Sequence, residues 1–148
     1  MSARLSIPST PMKTNAARSA PPHQTVFLVD DSDVVRQHLA QLVQTVPGAR
    51  VVGEAELAFD AIYAIRRLKP TVVVLDISMP GGSGIEVLET IRREAHRPTV
   101  IMLTNFSQER YRERCLELGA DHFLDKFSQM DRLPGVIAQL GETLVAAA

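Results

Sequence analysis

Three aspartates, a threonine and a lysine stand where apolar runs of this chain give out, a placement that is rare without a partner or a task for the polar group. Asp30 and Asp31 follow TVFLV, and Asp76 lies in TVVVLDISMPGGSGIEVL (71–88), between a branched apolar run and a Pro/Gly-rich turn. Thr104 closes TVIMLT, and Lys126 follows DHFLD. Two unit charges about 4 Å apart repel by roughly 4 kcal/mol at an effective dielectric near 20, so three clustered carboxylates call for a cation. Mg²⁺ suits such a set, being a hard ion with oxygen ligands that is commonly held by one or two carboxylates together with phosphate oxygens. Lys126 adds a compact fixed charge of the kind that meets phosphate. A carboxylate beside a divalent cation, an ammonium and a hydroxyl is equipped to attack phosphorus, and the product is an aspartyl phosphate. Asp76 is the better nucleophile of the three, because the adjacent pair Asp30–Asp31 reads as the metal-holding element.

For these residues to meet, the ends of several strands must reach one edge, and the patterning provides for that. Short apolar runs at 25–30, 50–55, 71–77, 99–105 and 121–126 alternate with longer amphipathic stretches, the signature of an α/β fold whose open, doubly wound parallel sheet of five strands is covered by helices. Val35, Leu39, Leu42, Val43 and Val46 fall on one helical face, as do Ala58, Ala61, Ile62, Ile65 and Leu68. Ile85, Leu88 and Ile91 form a third face, Tyr111, Cys115 and Leu118 a fourth, and Leu133, Val136, Ile137, Leu140 and Leu144 a fifth. Ser32 and Ser83 are placed to cap the first and third helices, Pro47–Gly48 to end the first, and Gly119 to close the fourth. In such sheets ligands bind outside the carboxyl ends of the strands, where the strand order reverses. That rule gathers Asp30, Asp31, Asp76, Thr104 and Lys126 on one rim. The second strand offers only Glu54.

The chain has 148 residues, 45% hydrophobic and 22% charged, which fits one globular domain. Its formal net charge of −1 gives no electrostatic case for nucleic acid or an anionic membrane. The single cysteine, Cys115, excludes an internal disulfide and suits a reducing cytoplasm. Neither a membrane span nor a signal peptide is evident. Residues 1–23 are rich in Ser, Thr, Ala and Pro, without sustained periodicity, and read as a disordered tail ahead of a domain at 24–148.

Over residues 25 to about 146 the sequence resembles the receiver domains of two-component response regulators, as in the single-domain chemotaxis receiver. The resemblance rests on the acidic pair Asp30–Asp31, on Asp76 followed by Met79–Pro80 and Gly84, on Thr104, and on Lys126 with the aromatic Phe123 three residues before it. It implies a strand order 2-1-3-4-5. It also implies a phospho-acceptor at Asp76, served by a histidine kinase or phosphotransfer protein. Mg²⁺ is expected on Asp30, Asp31, Asp76 and the Ser78 carbonyl, with Thr104, Phe123 and Lys126 as the phosphate-binding and switching residues. The expected output is altered binding of a protein partner, or phosphorylation-dependent homodimerisation, through the face made by the fourth helix, fifth strand and fifth helix. No attached output domain is expected, and no turnover beyond self-phosphoryl transfer and auto-dephosphorylation.

Departures from the family pattern carry their own expectations. Asn105, followed by Phe106, stands where the family usually has a small residue after the hydroxyl, and the larger side chain should narrow donor access. Phe127 stands where the family often has proline in a cis bond, which is costly without proline, so the loop after Lys126 should differ. A second reading takes Asp31-Ser32-Asp33-Val34-Val35 as the motif of a haloacid-dehalogenase-type phosphatase, with Asp31 as nucleophile and Asp33 as acid/base. That reading lacks the acidic pair needed soon after the lysine and leaves Asp76 idle. A third, a phosphorylation-independent interaction module, sits poorly with the complete residue set.

Overall fold

In the computed structural model, which describes residues 24–147, the apolar runs pair into one parallel sheet. The expected tail, residues 1–23, and the side chain of Leu144 lie outside the described residues. The sheet strands are β1 (Gln24–Val29), β2 (Ala49–Ala55), β3 (Val72–Leu75), β4 (Thr99–Thr104) and β5 (His122–Asp125). Their spatial order is β2-β1-β3-β4-β5, the order the resemblance implies. The helices are α1 (Asp33–Gln44), α2 (Ala58–Leu68), α3 (Gly84–Arg92), α4 (Glu109–Glu117) and α5 (Leu133–Ala147). Among the described residues no helix is long and apolar enough to cross a membrane.

Central β3 is buried at all four positions, because helices cover both faces and neither side chain row reaches water. Its odd row, Val73 and Leu75, joins Ala61, Ile65, Leu88, Ile91 and Cys115 in the core under α2, α3 and α4. Its even row, Val72 and Val74, joins Leu39, Val43, Leu133 and Ile137 under α1 and α5. Helical periodicity sorts the rest: on α2, Ala58, Ala61 and Ile65 are buried, while Phe59 and Tyr63 face solvent.

The expected caps are present. Ser32 accepts the Val35 N–H at the start of α1, and Ser83 forms a capping box with Glu86 at the start of α3. Four expected runs extend past their strands, those at 25–30 and 99–105 by one residue, and the other two bear on the site. β3 stops at Leu75, so Asp76 lies just beyond it rather than inside a strand running to residue 77. Lys126 opens a helical turn, Lys126–Gln129, instead of ending β5, because the Asp125 carboxylate caps that turn by accepting from the Ser128 N–H and hydroxyl. Every described peptide bond is trans, Lys126–Phe127 included.

Beyond Asp76 the chain forms a small antiparallel ribbon, Ser78–Met79 against Gly82–Ser83, with Pro80 and Gly81 at its tip. Gly81 takes φ 75°, which a β-carbon disfavours. The ribbon delivers α3 so tightly against β3 that a β-carbon on Gly84 would sit 1.9 Å from the Asp76 carbonyl oxygen and 2.8 Å from its carbon. Both are backbone atoms of the segment that aims Asp76. Gly84→Ala is therefore expected to cost about 2 to 4 kcal/mol, in the range of severe overpacking. A urea unfolding midpoint checks this.

Candidate functional site

Strand register, more than local sequence, brings the polar residues together. Val26 and Leu28 of β1, Val72 and Val74 of β3, and Leu124 of β5 all face the α1/α5 core. The next even-numbered positions are Asp30, Asp76 and Lys126, so the same rows run out of the sheet as two carboxylates and an ammonium. β1 and β3 pair with Val29 opposite Leu75, and the Asp76 N–H donates to the Val29 carbonyl at 3.0 Å. That register sets Asp30 and Asp76 side by side.

Both carboxylates are buried, Asp30 at 1% and Asp76 at 5% exposure, whereas Asp31 is exposed. Lys126 Nζ bridges them, 2.6 Å from Asp30 Oδ2 and 2.9 Å from Asp76 Oδ2. The other Asp30 oxygen accepts the Ser32 N–H at 2.9 Å. Asp76 Oδ1 lies 3.4 Å from the Ser78 nitrogen, a long contact. Thr104 is fully buried at the end of β4, and its Oγ1 accepts the Phe106 N–H at 3.1 Å. Phe123, 7% exposed on β5, lies opposite Met102 of β4 in the core under α4. Asp30, Asp31, Ser32, Asp76, Ser78 and Lys126 line one cleft, and Asn105 and Phe106 form part of its wall.

Burial is the largest influence on Asp76 and pushes its carboxyl above the ordinary range; the Asp30 charge adds to the rise. Lys126, by hydrogen bond and charge, and more weakly the Thr104 hydroxyl, pull it back. Burial also disfavours the Lys126 ammonium, but Asp30 and Asp76 together outweigh that and hold its pKa above the usual lysine value. The site thus stores unfavourable negative charge that one lysine only partly compensates.

A divalent cation would relieve it. Asp30, Asp31 and Asp76 each offer a carboxylate oxygen, and these lie within 4.8 Å of one another. An all-oxygen set with one solvent-facing member fits Mg²⁺, which retains several waters when bound.

The residue that sequence reasoning missed is Arg36. Its guanidinium donates to the Asp30 carbonyl at 2.5 Å, to Glu54 Oε1 at 2.8 Å, and to Asp33 Oδ1. Glu54, the one polar candidate on β2, is therefore tied to the rim through Arg36. Asp33, the acid/base of the phosphatase reading, has a side chain 78% exposed, pairs with Arg36 and is not among the clustered carboxylates.

Comparison with known proteins bears on the fold and the family. The response regulator receiver domain family matches residues 26–138, and the chain belongs to that family. Response regulator GacA of Pseudomonas aeruginosa is 30% identical over 115 residues, covering 78% of this chain and 54% of that protein. The chain thus spans about half the length of that relative. The response regulator domain of Thermotoga maritima CheB is 28% identical with a TM-score of 0.72, covering 82% of this chain and 95% of that one. The CheX–CheY–BeF3–Mg²⁺ complex from Borrelia burgdorferi matches at 25% identity and a TM-score of 0.73, covering 79% and 88%. The chain is a receiver domain of two-component signalling in fold and in family.

Because the Asp76 pKa is raised on folding, its ionised form opposes folding. Asp76→Asn should raise Tm near neutral pH, because it removes a carboxylate disfavoured by burial while Lys126 keeps Asp30 as its partner. The gain should shrink as pH falls through the raised Asp76 pKa and vanish below the ordinary carboxyl value of 3.8, where Asp76 is protonated in both states. Paired thermal melts across pH check the sign.

Proposed function

We propose that this chain accepts a phosphoryl group on Asp76 from a phosphohistidine on a histidine kinase or phosphotransfer protein, and that this modification controls protein binding. One observation carries the reading: Lys126 bridges two buried carboxylates, with Asp31 completing the cluster, on the rim where the strands end. The Borrelia complex, which holds Mg²⁺, supports the same choice of ion.

In this reading an Asp76 oxygen attacks phosphorus. The new O–P bond forms as the P–N bond of the phosphoimidazole breaks, and the imidazole nitrogen keeps the electron pair. Lys126 is released from the Asp76 carboxylate to meet the phosphoryl oxygens. Asp30, Asp31, Asp76 and the Ser78 carbonyl would hold Mg²⁺, which when bound neutralises charge on the transferring oxygens. Asn105 and Phe106, in the cleft wall, restrict the donors that reach Asp76.

Esterification replaces a carboxylate by a group of roughly −1.5 to −2 charge. The Thr104 hydroxyl is the nearest neutral donor on β4, and its movement would carry the Phe106 N–H bonded to it and free space beside Phe123. Coupling of that kind is typically about 1 to 3 kcal/mol, a population shift rather than a lock. The face of α4, β5 and α5 then carries the output, as an interface for a partner protein or a second copy.

Purified protein should take label from a phosphohistidine donor only with Mg²⁺. The label should be acid-stable and labile to base and hydroxylamine, and Asp76→Asn should abolish it. Wild-type labelling of that variant would defeat the assignment. Thr104→Ala should still accept label, with moderately reduced efficiency, yet show no phosphorylation-dependent change in partner affinity or oligomeric state.

A further inference from the structure

The Asp30–Asp31 turn is held from outside the acidic cluster. Asp30 is pinned at four atoms. Its N–H donates to the Ala55 carbonyl at 3.1 Å, its two carboxylate oxygens accept from Ser32 and Lys126, and its carbonyl accepts from Arg36 at 2.5 Å. The peptide after that carbonyl is the one that enters Asp31. Asp31 has an exposed side chain, so its direction is set through its backbone, between the peptide fixed by Arg36 and the Ser32 cap of α1.

Arg36 suits that task. Its side chain is 12% exposed, it lies in the second turn of α1, and the Arg36 N–H donates to the Ser32 carbonyl at 3.0 Å. Its fork reaches three acceptors on three elements: the carbonyl at the end of β1, Glu54 on β2 and Asp33 in the first turn of α1. Two carboxylates, Asp33 and Glu54, face its single charge, so little of that charge is left to attract anions or offset the Asp30–Asp31–Asp76 cluster. What remains is geometric: a planar donor fork fixes the plane of one peptide.

We infer that Arg36 is a positioning residue for the Mg²⁺ site, holding the Asp30–Asp31 peptide so that the Asp31 carboxylate is presented to Asp30 and Asp76 before a cation binds. The inference rests on the proposed function and adds a support that reaches the site through main chain. Outer supports of metal ligands typically contribute ten- to a hundredfold in metal affinity.

The test uses the full chain, with Mg²⁺ affinity from calorimetry and the Mg²⁺ concentration that half-saturates labelling by a phosphohistidine donor. Arg36→Met should weaken Mg²⁺ binding by about tenfold and raise the half-saturating concentration by the same factor. The labelling rate at saturating Mg²⁺ should stay within about threefold of wild type, since no contact to phosphorus is lost. Arg36→Lys keeps the charge but not the fork and should resemble Arg36→Met. Glu54→Gln leaves Arg36 in place with one arm loosened, should fold as wild type, and should weaken Mg²⁺ by about threefold, less than full loss of an outer support. Unchanged Mg²⁺ affinity in folded Arg36→Met, or in Glu54→Gln if Arg36→Met does not fold, would overturn the inference, as would wild-type behaviour of Arg36→Lys. A wild-type chain that binds no Mg²⁺ would instead overturn the proposed function, and this inference with it.

Discussion

The Lys126 ammonium sits between two carboxylates that water hardly reaches, and most of the rim is organised by that arrangement. Burying a charge costs several kcal/mol unless geometry and hydrogen bonds restore what solvent gave, and removing one partner of a buried pair is strongly destabilising. Here one cation faces two buried anions and a third at the surface, so compensation is incomplete by construction. The surplus shows in the raised Asp76 pKa, which burial and the neighbouring Asp30 sustain against the pull of Lys126. A site with uncompensated charge responds strongly to an added cation or to a change at Asp76 itself. Those are the two events the receiver reading requires.

Holding like charges together depends on parts that carry no charge. The β1–β3 register sets Asp30 beside Asp76, and the even-numbered rows of β1, β3 and β5 lead three charged side chains to one rim. Gly84 lets α3 begin against the Asp76 backbone, where any β-carbon would collide. Ser32 caps α1 and donates its N–H to Asp30, so one residue serves helix and site together. The core makes this rim affordable, since both faces of β3 are sealed and the strand has no freedom to turn its carboxylate away.

Much of this was legible in the sequence because it follows from periodicity. Two-sided apolar runs identify buried parallel strands, and the carboxyl-end rule then collects Asp30, Asp31, Asp76, Thr104 and Lys126 without any structure. The exact strand ends were not legible. The run Val72–Leu75 is followed, past Asp76, by a further apolar residue, Ile77, and only the departure into the Ser78–Ser83 ribbon shows where pairing stops. Two-residue strands have no period to detect. The clamp of Arg36 was invisible for a different reason: its acceptors lie 3, 6 and 18 residues away on different elements, a relation set by tertiary packing. Arg92 is similar, reaching the carbonyls of Gly119 and Pro98 and the Asp121 carboxylate to staple α3 beneath the β4 and β5 edges.

The central claim is that Asp30, Asp31 and Asp76 act as one cation-binding unit around an acceptor carboxylate. Calorimetric titration of Mg²⁺ into wild type and Asp31→Asn at neutral pH tests it most directly, because Asp31 is the exposed member and its loss should leave the fold intact. A single Mg²⁺ site in wild type, lost or greatly weakened in Asp31→Asn, is the expected result. Equal binding by the two proteins, or none by either, would contradict it.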